Sequence, residues 1–257
     1  MQKTVRTAVA NLYTEHSFMS SQTTQALLGE TVDILDNHEN WYRIKQWDGY
    51  ESWVHAFHLS ENQLNNAEKF TFLSQNNSVC LKDSKLNIIL PFGVSLPILG
   101  IDTSFVTVQF PWGEVGVAIK TELPTFPNMR DRIIHFAKTF LGVPYHWGGI
   151  SSFGCDCSGF VQTVFKAAGI HLPRDSYQQR EVPNGRQISL EDTKIGDLIF
   201  FAEDGKIDHV GITLGKREII HCSGYVQIES LAEDSETFNN KLFNRLESCI
   251  SINELMD

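Results

Sequence analysis

The sequence lacks any apolar run of the roughly 18 residues that a membrane-spanning helix needs. Its first 20 residues carry Lys3, Arg6, Glu15 and His16 and no apolar core of about 7 to 15 residues, so they do not resemble a secretory signal. Positive charge is also scarce, because 21 Lys and Arg stand against 31 Asp and Glu and leave a net charge of -10. We therefore expect a cytoplasmic protein that binds no membrane, no nucleic acid and no anionic wall polymer.

The number and spacing of the cysteines also argue against disulfides and against a metal site. The five cysteines are an odd number without the spacing of a disulfide framework, which fits a reducing interior. Cys155 and Cys157 form Cys-x-Cys rather than the Cys-x2-Cys of zinc knuckles, and no second close-spaced pair accompanies them. With His209, His221 and Cys222 they make a possible zinc set, which we disfavour, and we expect no metal or organic cofactor.

What the sequence does contain is a cysteine at the start of an amphipathic helix. Behind Cys157, apolar residues recur at spacings of three and four, and Gly169 fits a left-handed C-terminal cap. The stripe consists of Phe160, Val161, Val164, Phe165 and Ala168. A thiolate at a helix start faces unpaired N–H groups and the positive end of the helix dipole, so we expect a lowered thiol pKa. The alternative is a buried, inert cysteine, the commoner fate of a free thiol.

Two histidines downstream can serve this thiol. Strands are predicted at 196–201, 208–214 and 218–222. His209 and His221 are twelve residues apart, with Gly215 at the midpoint. A hairpin folded about Gly215 would place the two rings opposite each other on one face, with Cβ atoms about 4.5 to 5.5 Å apart. On that face, Gly211 leaves room for a bulky group such as a substrate or the cysteine helix.

Together these residues predict acyl-transfer chemistry. Cys157 attacks a carbonyl carbon, His209 takes and returns the proton, and His221 holds His209 in the productive tautomer. The backbone N–H of Cys157 is the expected oxyanion donor. Each histidine alone is more simply a satisfied core or surface imidazole, so the catalytic interpretation depends on the pair and the thiol occurring together.

Before residue 123 the pattern changes to short strands separated by turns, which is typical of small β barrels. The predicted strands are 31–35, 41–45, 51–54, 78–81, 94–99, 105–110 and 114–119. The stretch 41–54, with Gly49, recurs loosely at 105–117, with Gly113. This recurrence favours two diverged copies of one barrel over a single large sheet.

The predicted fold class is therefore α+β, with three domains. Two barrels occupy 1–60 and 67–122, and a cysteine-bearing domain occupies 129–257. A polar stretch at 60–69 separates the barrels, and the Pro-containing segment 123–128 links them to the third domain.

Six sequence blocks within residues 130–232 resemble the NlpC-type family of papain-like cysteine peptidases, which hydrolyse bacterial cell-wall peptides. The blocks are 141–149, 156–160, 172–176, 196–201, 209–212 and 220–221. The resemblance implies a papain-like third domain with Cys157, His209 and His221 as its catalytic triad, preceded by two barrels similar to bacterial SH3-like domains. The chain departs from the family at Cys155, where an aromatic residue is frequent, and this changes the packing before the nucleophile.

The resemblance also implies that Tyr145, Asp156, Ser158 and Ser176 line the site. From the residues alone, Asp156 is either the helix N-cap or a partner for a substrate ammonium. Tyr145 and Trp147 form either a pocket wall or part of the core.

Two barrels, an NlpC-type domain and no export signal resemble the cytoplasmic γ-D-glutamyl-L-diamino acid endopeptidases of muropeptide recycling. In those enzymes the first barrel blocks part of the cleft and selects peptides with a free N-terminal L-alanine. By that resemblance, Glu15 and Tyr50 grip the substrate ammonium, because a carboxylate and a phenol oxygen can both accept from it. The simpler alternative is that Glu15 is a solvated charge in a loop and that Tyr50 packs within the barrel.

We therefore predict a monomeric thiol hydrolase whose partner is a small murein peptide of the L-Ala-γ-D-Glu-diaminopimelate type. On the same scaffold, the alternatives are a hydrolase of intact peptidoglycan and an acyltransferase or different amidase. An alternative of another class is a non-catalytic SH3-like binding protein with a vestigial triad.

Overall fold

The computed structural model describes residues 1–61, 64 and 68–255. The chain divides into two compact units, Met1–Pro124 and Thr125–Asp257, and the division falls within the predicted linker. The predicted barrel boundary at residue 67, part of the polar stretch 60–69 and the last two residues lie outside the described residues. None of the helices in the described ranges combines the length and apolarity needed to cross a membrane.

The first barrel consists of seven antiparallel strands. They are β1 (Gln2–Val5), β2 (Val9–Tyr13), β3 (Gln22–Leu27), β4 (Thr31–His38), β5 (Trp41–Lys45), β6 (Glu51–His55) and β7 (Leu59–Ser60), in the spatial order β3-β2-β6-β5-β4-β1-β7. Inward-facing apolar side chains form the core: Val5, Ala10, Leu12, Ala26, Val32, Ile44, Val54 and Leu59. Successive side chains of a strand point to opposite faces of the sheet, so residues two apart, such as Ala10 and Leu12, both point into this core.

The second barrel has six antiparallel strands. They are β8 (Lys69–Thr71), β9 (Asn76–Leu81), β10 (Asn87–Pro91), β11 (Ser95–Ile101), β12 (Phe105–Gln109) and β13 (Val115–Ile119), in the spatial order β10-β9-β13-β12-β11-β8. In β9 the strand period is visible directly, because buried Val79 and Leu81 alternate with exposed Ser78 and Cys80.

The turn between β5 and β6 and the turn between β12 and β13 share one geometry. In the first, Gln46 N donates to Tyr50 O at 3.0 Å and Gly49 has a φ of 83°. In the second, Phe110 N donates to Glu114 O at 2.9 Å and Gly113 has a φ of 92°. Both turns need a residue that tolerates positive φ, so the glycines that align in the sequence occupy equivalent positions in the two barrels.

The second unit places helices against a six-stranded antiparallel sheet. The elements are α1 (Met129–Thr139), β14 (Ile150–Ser151), β15 (Gly154–Cys155), α2 (Cys157–Ala168), α3 (Ser176–Arg180), β16 (Arg186–Ile188), β17 (Leu198–Glu203), β18 (Lys206–Gly215), β19 (Glu218–Ser223), β20 (Tyr225–Ser230), α4 (Asn240–Phe243) and β21 (Leu246–Ser251). The sheet order is β16-β21-β17-β18-β19-β20, and α2 packs against α1, β18 and β19. The apolar stripe of α2 is buried in this contact.

The hairpin between β18 and β19 does not fold about Gly215. Gly211 pairs with His221 and Gly215 pairs with Glu218, so Lys216 and Arg217 form the turn, with φ values of 52° and 61°. Positive φ at both central residues is the type I′ geometry, which matches the twist of adjoining strands. The prediction that the two histidines are direct cross-strand partners is therefore wrong, and they are diagonal neighbours instead.

Gly29 offers a test of the contact between the two barrels. It has a φ of +82°, and a Cβ there would lie 2.5 Å from the carbonyl oxygen of Ser95 in β11, whereas a Cβ at Gly113 would meet nothing within 4 Å. Gly113→Ala should therefore cost about 1 to 2 kcal/mol of unfolding free energy for the backbone conformation alone. Gly29→Ala should cost about 1 to 3 kcal/mol more, because the overlap adds to it.

Urea unfolding followed by tryptophan fluorescence measures this difference. Four of the five tryptophans, Trp41, Trp47, Trp53 and Trp112, lie in the barrel unit. Equal losses for the two variants would show that the close approach of the barrels contributes nothing.

Candidate active site

Cys157 is the first residue of α2, as the sequence predicted. Asp156 precedes it in an extended conformation and caps the helix, since its Oδ1 accepts from the N–H of Gly159 at 2.7 Å. Gly169 ends the helix with a φ of 98°. The thiol is buried against strand β18, where its sulfur lies 3.8 Å from the carbonyl oxygen of Asp208.

An ion pair with Arg174 fixes the start of this helix. Nη1 of Arg174 lies 3.1 Å from Oδ1 of Asp156, and Nη2 lies 2.7 Å from Oδ2. Arg174 is 2% exposed and Asp156 is 8% exposed, so the pair is shielded from water. The N–H of Gly148 donates to Oδ2 at 2.9 Å, and Nη1 of Arg174 donates to Ser158 Oγ at 2.9 Å. The capping role of Asp156 is thus observed, and its contact with a substrate ammonium stays a prediction.

The expectation of a lowered thiol pKa is wrong. Burial raises the pKa of Cys157 to about 12, and the negative charge of Asp156 acts in the same direction. Backbone N–H groups of Val210 and Ser158 donate to the sulfur and lower its pKa, but they do not outweigh burial. The helix start supplies the anticipated dipole, but packing α2 against the sheet removes the thiol from water. The resting nucleophile is therefore a neutral thiol.

The two histidines meet side by side on one face of the sheet. His209 Nε2 lies 2.8 Å from His221 Nδ1, and the ring planes are nearly perpendicular, at 79°. Gly211, which faces His221, leaves no space for a ligand, because a Cβ there would lie 2.4 Å from Ile219 Cδ1 and 2.9 Å from His221 Cβ. The small residue is needed for packing within the hairpin, which corrects the expectation that it makes room for a substrate.

Both imidazoles are neutral at physiological pH. Burial lowers the pKa of His209 to about 3, with the neighbouring His221 as a further cause. Burial also lowers the pKa of His221, against the opposing effect of Glu229. A neutral imidazole has one nitrogen lone pair that can take a proton, as a general base requires.

The thiol and the imidazole pair belong to the same part of the unit. The sulfur contacts the backbone at Asp208 and Val210, the two residues that flank His209 in β18. The structure therefore brings together the predicted nucleophile, base and orienting residue on α2, β18 and β19.

The remaining predicted residues of this unit differ in their surroundings. Tyr145, His209 and His221 line a cavity of about 380 Å³. Burial and the nearby Cys157 raise the pKa of the Tyr145 phenol, which therefore keeps its proton and can donate. Trp147 is 69% exposed, so it is not a core residue. Ser176 begins α3 and is buried.

Helix α3 is tied to the cysteine helix through one side chain. Nε2 of the fully buried Gln179 donates to the carbonyl oxygen of Ser158 at 3.0 Å and to that of Pro173 at 2.9 Å. The bond to Ser158 joins α3, which Ser176 begins, to α2 at the residue after Cys157.

Glu15 and Tyr50 lie in the first barrel. Glu15 is exposed in the turn between β2 and β3, where its carbonyl oxygen accepts from the N–H of Ser17 at 2.8 Å. Tyr50 is half-buried in the turn before β6. Their contact with a substrate stays a prediction.

All five cysteines are free thiols. Cys155, the departure noted in the sequence, is fully buried with its sulfur 3.8 Å from that of Cys222, so it takes part in core packing. Across residues 1–61, 64 and 68–255, no three His, Cys, Asp or Glu side chains are grouped so that they could hold a metal ion.

Sequence reasoning missed three polar residues near the site. Arg174 lies in a recognised block, and its signal was a basic residue between a proline and the N-cap of α3. Glu229 accepts from His221, and Asn239 donates to Glu229, each at 2.8 Å. The strand period puts Glu229 on the face of β20 that His221 shares, but only the register between β19 and β20 places the two together.

Comparison with known proteins gives consistent matches. Residues 142–245 match the NlpC/P60 family, and residues 8–60 match the bacterial SH3 domain. A gamma-D-glutamyl-L-lysine dipeptidyl-peptidase of Bacillus cereus is 32% identical over 222 residues, which cover 77% of this chain and 66% of that protein. A protein of the same name from Bacillus subtilis is 31% identical over 242 residues, which cover 89% of this chain and 81% of that protein.

A solved structure shows the same fold. The crystal structure of an NlpC/P60 family protein from Bacillus cereus matches with a TM-score of 0.86, covering 99% of this chain and 100% of that chain. The two sequences are 24% identical, so this likeness extends to the fold alone.

The buried ion pair yields a first prediction for the site. Arg174→Met should destabilise the second unit by roughly 3 to 5 kcal/mol, because it leaves the Asp156 carboxylate buried without its partner. Arg217→Met is the control, since its pair with Glu191 is exposed and worth about 0 to 1 kcal/mol. Hydrogen exchange of α2 amides measures the free energy of opening, and similar values for both variants would contradict the structural role of the pair.

Histidine titration yields a second prediction. His209 has a pKa of 6.5 when unperturbed and about 3 in the folded unit, so below pH 6.5 the unfolded chain binds a proton that the folded chain excludes. The contribution of His209 to the free energy of unfolding is therefore complete above pH 6.5. It is lost as the pH falls toward 3, by up to about 1.4 kcal/mol per pH unit. Calorimetry at about pH 7.5 and about pH 5 should show a lower Tm at acidic pH.

The variants isolate the contribution of this residue. His209→Gln should reduce the difference in Tm between the two pH values, whereas the control His135→Gln, at an exposed position of α1, should leave it unchanged. A difference that is the same in both variants would mean that His209 is not responsible.

Proposed function

The chain belongs to the NlpC/P60 family of cysteine peptidases, and on this premise we propose that it cleaves the amide between γ-D-glutamate and a diamino acid in short cell-wall peptides. Its substrate is of the L-Ala-γ-D-Glu-diamino acid type, with lysine or diaminopimelate as the third residue. The products are the dipeptide L-Ala-D-Glu, with a new free γ-carboxylate, and a peptide or amino acid with a new free amine.

One arrangement supports this function above all. The thiol of Cys157 is held at the start of α2 against the strand that carries His209, and His209 is paired with His221 at 2.8 Å. The two relatives whose name specifies γ-D-glutamyl-L-lysine match 77% and 89% of this chain. These shares exceed the length of the second unit, so the similarity extends into the barrel unit.

The proposed reaction proceeds through a thioester. Sγ of Cys157 attacks the γ-carbonyl carbon of D-glutamate while His209 takes the thiol proton. Because the thiol is neutral at rest, this proton transfer accompanies the attack. The N–H of Cys157, at the first helical position, has no acceptor within the helix and donates to the oxyanion.

The leaving amine of the diamino acid then takes the proton from His209 and departs. Water attacks the thioester with His209 as base, which releases the γ-D-glutamyl carboxylate and restores the thiol. His221 keeps the ring of His209 oriented through both steps. The phenol of Tyr145, which stays protonated, donates to a carbonyl or carboxylate oxygen of the substrate.

Selection of short peptides with a free amine is proposed for the first barrel. Glu15 and Tyr50 accept hydrogen bonds from the ammonium of L-alanine, and longer glycopeptides whose amine is blocked cannot satisfy these acceptors. The five free thiols support a reducing compartment, so we propose a cytoplasmic role in the recycling of peptides released from the wall.

Paired substrates test the proposed function. L-Ala-γ-D-Glu-L-Lys and L-Ala-γ-D-Glu-diaminopimelate should each release L-Ala-D-Glu, detected by mass spectrometry, and their N-acetylated forms should react about 100-fold more slowly. Cys157→Ala is the inactive control. Equal cleavage of free and acetylated peptides would remove the proposed selection of a free amine, and cleavage of intact peptidoglycan alone would favour a wall hydrolase.

A further inference from the structure

A polar row crosses three neighbouring strands on the face that carries the histidines. His221 in β19 stands opposite Gly211 in β18 and Gln227 in β20. His209 lies two residues before Gly211, and Glu229 lies two residues after Gln227. Because β18 and β20 both run antiparallel to β19, these offsets place His209, His221 and Glu229 along one diagonal of the sheet.

Each member of the row is within hydrogen-bond distance of the next. His209 Nε2 lies 2.8 Å from His221 Nδ1, and His221 Nε2 lies 2.8 Å from Glu229 Oε2. His221 is 1% exposed, so these two bonds occupy both of its ring nitrogens in a site closed to water. The row ends at Glu229, whose side chain is 23% exposed.

A carboxylate at the end of this row determines where every proton lies. An ionised carboxylate only accepts, so the hydrogen of His221 must be on Nε2. Nδ1 of His221 is then the acceptor, and Nε2 of His209 must carry the hydrogen that it receives. The free lone pair of His209 is therefore on Nδ1, the nitrogen that remains for the thiol proton.

The same arrangement serves after His209 has taken a proton. In the imidazolium both ring nitrogens are donors, and Nε2 still donates to His221 without any change at His221 or Glu229. Only Nδ1 of His209, which takes the proton, changes from acceptor to donor. The other nitrogens of the row and the carboxylate keep their roles during the reaction, which is the property expected of an organised base.

Asn239 holds the carboxylate in place. Its Nδ2 donates to Glu229 Oε2 at 2.8 Å, the same oxygen that accepts from His221. Its Oδ1 accepts from the N–H of Leu242 at 2.8 Å and caps helix α4. The amide is oriented by this second bond, so it presents a donor to Glu229 rather than a competing acceptor.

We propose that Glu229, held by Asn239, is a positioning residue that fixes the tautomers of His221 and His209 and directs the lone pair of His209 Nδ1 to Cys157. This inference deepens the proposed function and rests on it, because it assumes that His209 is the base. Glu229 does not touch the reacting atoms, and it acts only through His221.

Nitrogen-15 NMR of protein labelled at histidine tests the proposal without substrate. In the wild-type chain, both His209 and His221 should show a protonated Nε2 and an unprotonated Nδ1, with assignments from His209→Gln and His221→Gln spectra. A hydrogen on Nδ1 of His221 in the wild type would overturn the proposal. The result does not depend on which peptide is cleaved, so it separates this inference from the proposed function.

Kinetics of three variants complete the test. Glu229→Leu removes the acceptor and should lower kcat about 10- to 100-fold with little change in KM, as for other residues that orient a catalytic imidazole. Its NMR spectrum should show mixed tautomers at His221. Glu229→Gln has nearly the same shape and keeps an acceptor oxygen, so it should fold and lose less activity.

Glu233→Leu is the matched control, because Glu233 is exposed in the segment between β20 and α4. It should retain wild-type kcat and tautomers. A merely structural role for Glu229 would lower the amount of folded protein without altering the tautomers of the folded fraction. Wild-type kcat in folded Glu229→Leu, or unchanged tautomers in that variant, would also overturn the proposal.

Discussion

The catalytic centre depends on the buried ion pair between Asp156 and Arg174. One carboxylate caps α2, receives the N–H of Gly148 from the loop before it and binds the guanidinium that also reaches Ser158. Since a buried charge without a partner is costly, loss of Arg174 would leave the carboxylate of Asp156 buried without its counter-charge. The position of Cys157 at the helix start is thus determined by the residue before it and by an arginine 17 positions later.

Burial is the largest influence on the pKa values of the thiol and of the histidine that serves it. The same packing that presses α2 onto the sheet raises the pKa of the thiol and lowers the pKa of the histidine. A neutral thiol beside a neutral imidazole needs a base whose lone pair already points correctly, because no ion pair exists beforehand to align the two groups. The polar row from Glu229 to His209 supplies that alignment, so burial and hydrogen bonding act as complementary parts of one site.

The sequence predicted much of the fold because its signals are local. Alternation of apolar residues located seven of the thirteen barrel strands in the described ranges and missed β1, β2, β3, β7, β8 and β10. The repeated turn glycines, Gly49 and Gly113, favoured two copies of one unit. The helical stripe and the flanking Asp156 and Gly169 predicted α2 from its cap to its end. Each of these signals depends on neighbours a few residues away, so no tertiary information was needed.

The sequence by itself determined which residue types stand at the site. They are a thiol at a helix start and two histidines that the alternation of adjacent strands places on the same face of a hairpin. Tertiary structure decided how they meet. Two residues of positive φ, Lys216 and Arg217, shifted the hairpin and made the histidines diagonal neighbours. Packing decided that the thiol is neutral and that Arg174 and Glu229 support the centre. Register, burial and long-range ion pairs arise from contacts between segments far apart in the chain, which a local pattern does not contain.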